Sequence, residues 1–174
     1  MSYEKLFLSL GRADLLMKIC YWVSVFSQLP VAFETKGRNG GVFGIIHEMA
    51  DGKLETIAQW PIGKPLPGKI EKYLKIAMVS KPDMLVAHPD HELSFQSRTD
   101  DPDDGLWGGA FRIILDDGSK VIFTFSGLTE AGDFVIGVMA ALSQKLISEK
   151  KALEMAEKCG ANELLQYYLG NFQE

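Results

Sequence analysis

The segment from Phe111 to Leu146 constrains the fold more than any other part of the chain, because it reads without interruption as strand, turn, strand and apolar helix. Phe111-Arg112-Ile113-Ile114-Leu115 and Val121-Ile122-Phe123-Thr124-Phe125 are rich in the β-branched and aromatic residues that suit a pleated, half-buried surface. Between them, Asp116-Asp117-Gly118-Ser119 supplies a turn with a glycine ready for positive φ. Thr129 is placed to cap a helix, and Glu130 and Asp133 favour its positive end. Phe134, Val135, Val138, Met139, Ala141, Leu142 and Leu146 cover so much of its circumference that the helix is expected to be buried.

An echo of this unit lies upstream. Gly40-Gly41-Val42-Phe43-Gly44-Ile45-Ile46 and Gly108-Gly109-Ala110-Phe111-Arg112-Ile113-Ile114 share the pattern GGxFxII, and each precedes an Asp-Gly turn, a second strand and a helix. The upstream strands are Val42 to Met49 and Leu54 to Trp60, joined at Asp51-Gly52. Alternation puts Leu54, Thr56, Ala58 and Trp60 on one face of the second, and Pro61 is expected to end its pairing. Two hairpins forming one antiparallel sheet, with helices over its apolar face, give an α+β domain of profilin-like type.

The remaining elements fit around that sheet. Leu15, Ile19, Trp22, Phe26 and Leu29 form one stripe of a first helix from about Arg12 to Gln28, stopped by Pro30. Ile70, Tyr73, Leu74 and Ala77 mark an amphipathic helix ending before Pro82, with Lys69, Lys72 and Lys75 on another side. From Asp83 to Trp107 periodicity is weak: Met84 to Ala87 and Leu93 to Gln96 suit short strands, and Ser97 to Gly105 reads as a polar, acidic loop. Ser148 to Lys158 is a charged helix, Gly160 closes it, and Asn162 opens a last short one. The expected division is a domain at 1–147 and a helical C-terminal extension at 148–174, packed in cis or used for oligomerisation.

Composition narrows the function classes. With 47% apolar residues, 174 residues are enough for one domain with a sizeable core. A net charge of −5 disfavours a nucleic-acid footprint, which needs clustered uncompensated Lys and Arg. The stretch Leu15 to Phe33 is interrupted by Lys18, Ser24, Ser27, Gln28 and Pro30, so neither a signal peptide nor a membrane span is expected. Cys20 and Cys159 lie far apart and read as buried free thiols, which suits a cytoplasmic protein.

In its order of elements and in several motifs, the stretch from Arg12 to Leu146 resembles the GlcG/HbpS-like family, the haem-binding or haem-degrading group that includes the C-terminal domain of PduO-type proteins. Met49-Ala50-Asp51-Gly52-Lys53-Leu54 is similar to the family's Asp-x-x-Gly-x-Leu, with the Asp displaced towards the Gly. Gly108-Gly109-Ala110-Phe111-Arg112 resembles its Gly-Gly-x-Pro-Ile strand, with Phe111 replacing Pro, and Ser126-Gly127 and Asp133 to Ala141 resemble its strand ending and small-residue helix. The resemblance implies a small-ligand pocket, with haem or a related tetrapyrrole the leading candidate, in a homo-oligomer built from helices and sheet edges. Members are commonly discussed with a histidine near the first helix. Here that helix has none, and its soft residues, Met17 and Cys20, read as core.

The expected ligand site lies between the sheet and the loop Asp83 to Trp107. Trp60 and Trp107 are candidates for its rim, and Arg98 and Arg112 for an anionic group such as a propionate, with Lys64, Lys69 and Lys72 as weaker partners. Each also has a plainer reading, as core packing or a solvated face. His88-Pro89-Asp90-His91-Glu92 brings two imidazoles together, so His88 and His91 are weak candidate metal ligands, and a solvated loop is the stronger reading. Asp100, Asp101, Asp103 and Asp104 suit a hard cation or simply a hydrated loop, and His47 reads as a structural histidine. Ser126 lacks a nearby base. The expected function is a non-catalytic small-ligand-binding domain. Its rivals are a homo-oligomeric assembly module without ligand, and an enzyme acting on haem or a small organic acid, for which no nucleophile or base is evident.

Overall fold

Both Asp-Gly turns close in the same way. In the computed structural model, which describes residues 12–29, 33, 35, 37–99 and 107–172, the N–H of Met49 donates to the Lys53 carbonyl and that of Leu115 to the Ser119 carbonyl, each at 2.8 Å. Gly52 and Gly118 hold φ values of 81° and 82°. Asp51 and Asp117 each accept from the backbone N–H two residues on. A short polar side chain followed by a left-handed glycine is what such a hairpin loop requires.

The hairpins they close are β1 (Asn39–Glu48) with β2 (Leu54–Lys64), and β3 (Phe111–Ile114) with β4 (Lys120–Ser126). Antiparallel pairing of β1 with β4 joins them into a four-stranded sheet of order β2-β1-β4-β3. The fold is therefore α+β, with one antiparallel sheet made from two hairpins. The GGxFxII echo has a limited structural meaning. Phe43 and Phe111 both pack against Phe123, with ring centroids at 6.3 and 5.6 Å. Yet β1 is an inner strand and β3 an edge, so the two segments are not equivalent positions of a repeat.

Two expectations for β2 are corrected. Pairing does not stop at Pro61; it continues from Val42 opposite Pro61 to Asn39 opposite Lys64. An edge strand tolerates a residue that cannot donate to a ladder. The alternation is also broken, because Ile45 faces Ala58 while Ile46 faces Thr56, which leaves Ile57 as an extra residue in a bulge. Ile57 and Ala58 thus both reach the main core, whereas Leu54 packs on the opposite face with Ile46 and Ile122.

Helices cover both faces of the sheet, not one. On the first face, Phe43, Ile45, Phe111, Phe123 and Phe125 meet α1 (Arg12–Phe26) and α4 (Glu130–Ser143). The predicted stripe of α1 is buried from Leu15 to Leu29, and Thr129 caps α4 by accepting from the Gly132 N–H at 3.2 Å. Met17 and Cys20 are not core: Met17 is 66% exposed and Cys20 lies at the surface. Cys159 is half-buried, and burial pushes its thiol up to about 11.

The second face carries α2 (Ile70–Lys75), a π-helical turn (Ile76–Ser80) and α3 (Lys81–Ala87) in unbroken succession. The helix therefore runs through Pro82, where an end was expected, and Met84 to Ala87 are helical, not a strand. Proline lacks an N–H and its ring crowds the carbonyl four residues back. The wider π turn ahead of it, and the placement of Pro82 in the first turn of α3, relieve both problems. Tyr73 and Ala77 are buried as expected, but Ile70 and Leu74 remain partly exposed. Leu93 makes one isolated bridge to Phe111 and Ser94–Ser97 is a 3-10 turn, so the second expected short strand is reduced to a single pairing. The acidic run Asp100 to Gly105 lies outside the described residues.

The C-terminal extension packs in cis. α5 (Glu149–Lys158) and α6 (Asn162–Phe172) place Ala152, Met155, Leu165 and Tyr168 in the same core as the sheet. The fully buried Tyr168 donates its hydroxyl to the Trp22 carbonyl of α1 at 2.8 Å. Tyr168→Phe is expected to lower stability by about 1–2 kcal/mol, since it leaves a buried carbonyl without its donor. The shift in urea midpoint at unchanged slope measures it.

Candidate functional site

Arg112 organises a cleft beside the edge strand β3. On the second face of the sheet the residue is only 5% exposed, and Nε donates to Glu48 Oε2 at 2.6 Å. Nη1 donates to the carbonyls of Pro89 and His91 at 3.0 and 2.9 Å, and Nη2 to that of Leu85. Lys120 meets the other Glu48 oxygen at 3.2 Å. The fork is thus committed to holding the end of α3 and the histidine loop against β3, which suits Arg and no other side chain. Backbone bonds from Arg112 N–H to Glu92 and from Ser94 N–H to Ala110 fasten the same loop along the outer side of β3.

The loop so fixed forms one wall of a cleft of about 510 Å³. Ile113 and Ile114 of β3 line it, with Leu146, Ile147 and Met155 from the α4–α5 connection and α5. Glu92 at its rim pairs with Lys151 at 2.5 Å and with Lys158 at 3.3 Å. His91 also lines it, with Nδ1 on Ser97 Oγ at 2.8 Å and its ring stacked on His88 at 4.7 Å between centroids. The result is an apolar floor, one oriented imidazole and a rim of paired charges, features typical of small-ligand sites.

The structure does not bring the four ligand candidates together. Arg112 lines the cleft, but Trp60 lies on the first face of the sheet, stacked on Phe43 at 5.9 Å. Arg98 pairs with Glu130, whose other oxygen accepts from the Gly108 N–H at 3.1 Å. Trp107 lies under the Lys72 ammonium, 5.2 Å from the ring centroid, beside the helices of the second face. His88 and His91 are neighbours as expected, yet no group of three His, Cys, Asp or Glu side chains suited to a metal forms among the described residues. His47 meets Glu55 of β2 at 3.5 Å.

Comparisons with family models, with curated proteins and with solved structures give no match for this chain.

The donor set of the cleft fits haem poorly. His91 is the one lining imidazole, with Nε2 its open nitrogen, while Arg112 and Lys151 already hold carboxylates and carbonyls. A tetrapyrrole would find a single axial donor and no uncommitted cation for its propionates, so these residues fit a compact ligand better. Sequence reasoning missed the contribution of α5, because Lys151 and Met155 lie in a charged stretch with no motif. It also missed a second buried pair, Lys81 with Asp133 at 2.8 Å. The one available signal was a carboxylate set among Gly132, Phe134 and Val135.

Proposed function

We propose that this chain is a non-catalytic binding domain for a small ligand, held in the cleft between the edge strand β3, the histidine loop and α5. The observation that carries the reading is the loop itself. A buried guanidinium anchored on Glu48 and Leu85 fixes the loop backbone through the carbonyls of Pro89 and His91, and the wall it presents borders an apolar floor with His91 at its edge. Pre-organisation of this kind lowers the cost of binding. The resemblance to the GlcG/HbpS-like family points the same way and keeps haem as one ligand to test.

Native mass spectrometry of protein purified from its own source is expected to show a retained species of small mass. Ile114→Trp, at a residue 68% exposed on the cleft wall, is expected to displace it without loss of fold. Haemin titration followed by absorbance tests the tetrapyrrole, and His91→Ala is expected to abolish any Soret shift. Absence of a bound species together with an unchanged haemin spectrum would rule the reading out.

A further inference from the structure

α4 ends in a Schellman closure, with the N–H of Lys145 donating to Leu142 and that of Leu146 to Ala141, at 2.8 and 3.0 Å. α5 ends identically: Gly160 donates to Glu157 at 3.4 Å and Ala161 to Ala156 at 2.9 Å. In the second closure the left-handed residue is Gly160, at φ 69°. In the first it is Lys145, at φ 56°, the one non-glycine residue with positive φ among the described residues. Helix ends favour glycine there because a β-carbon is strained. The negative end of the helix dipole favours a cation at this position without requiring the left-handed conformation, and the side chain it carries also stands at a cleft.

Lys145 stands at the rim of a second cleft, about 570 Å³, between α1, the end of α4 and α6. Its walls are Trp22, Met139, Leu142, Leu169 and Phe172. Lys18 and Glu149 complete its charged groups, and both have partners: Lys18 meets Asp14 at 3.4 Å, and Glu149 is also engaged. Lys145 is exposed and has no carboxylate partner among the described residues. An apolar trough with one uncommitted ammonium at its mouth is complementary to a molecule with an apolar tail and a single negative head.

We propose that this cleft binds a linear aliphatic carboxylate, its tail along Trp22, Met139 and Leu169 and its head on the Lys145 ammonium. The site is separate from the cleft beside β3 and stands or falls independently of it.

Decanoate below its micelle concentration and uncharged decanol are titrated calorimetrically into the full chain, Lys145→Gln and Lys145→Gly. Saturable one-to-one binding of decanoate is expected, weaker by about tenfold for decanol and for both variants, the loss that follows removal of one charge-assisted hydrogen bond. Because Lys145→Gly relieves strain, its ligand-free melting temperature is expected to rise while its affinity falls, which separates binding from folding. Leu142→Trp, which fills the trough, is expected to abolish binding. No saturable binding of decanoate, equal affinity for decanol or Lys145→Gln, or undiminished binding by Leu142→Trp overturns the proposal.

Discussion

Lys81→Met is expected to destabilise the protein by about 3–5 kcal/mol, because it leaves a buried carboxylate without its counter-charge. Lys81 is 1% exposed and Asp133 5%. The ammonium donates to Asp133 Oδ2 and to the Phe125 carbonyl, while Asp133 Oδ1 accepts from the Leu128 N–H at 2.8 Å. Gly109, at φ 95°, allows this packing: a β-carbon there would stand 2.7 Å from that of Asp133 and 3.1 Å from the ammonium. The pair joins α3 to α4 past the end of β4, so its loss separates two layers.

The same pair makes stability depend on pH in a definite direction. Burial raises the pKa of Asp133, with Lys81 opposing the shift. A carboxylate whose folded pKa is raised contributes stability that is fully present below its unfolded value and is lost as pH rises through the folded one. Removing Lys81 removes the charge that opposes this rise, so the deficit of Lys81→Met is expected to shrink as pH falls towards the carboxylate range. Lys81→Met with Asp133→Asn, which keeps an acceptor for Leu128, is expected to recover much of the loss at neutral pH. Urea midpoints of the parent chain and the two variants at pH 7 and pH 4.5 read both effects; a deficit that grows on acidification would refute the assignment.

Arg112→Lys is expected to cost about 3 kcal/mol despite conserving charge, since an ammonium cannot serve a carboxylate and three carbonyls spread across the fork. Glu48 keeps Lys120 at 3.2 Å, so the larger part of the cost falls on the orphaned carbonyls of Leu85, Pro89 and His91. Hydrogen exchange is the informative measurement. Protection is expected to fall first at Glu92 to Ser97 and at the outer edge of β3, with the β1–β4 core retained. Uniform loss across the sheet would show instead that the guanidinium supports the global fold and not the loop.

The elements that were legible in the sequence are those whose signal is local. Turn chemistry at Asp51-Gly52 and Asp116-Asp117-Gly118, the capping hydroxyl of Thr129 and the stripe from Leu15 to Leu29 all act within a few residues. The expectations fail where a distant partner or a local irregularity overrides the simple rule. Pro61 pairs on because β2 is an edge, and Pro82 is passed because a π turn precedes it. Ile57 faces the core because a bulge shifts the alternation. The candidate site was less legible still. Arg112 was identified as an anion partner, and its anion is Glu48, a residue 64 positions away in sequence. Residue type alone groups Trp60 with Trp107, and the sheet separates them.

The strand order has a consequence for how the chain reaches this fold. Each hairpin closes over a turn of a few residues, but the β1–β4 seam joins Glu48 to Lys120 across 72 positions of sequence. Local hairpins form fast, whereas a distant pairing must first meet the entropy of closing the intervening loop. Formation of the seam is therefore the step expected to govern the folding rate, and substitutions along Val42–Glu48 or Lys120–Ser126 should slow refolding more than equal losses in β2 or β3.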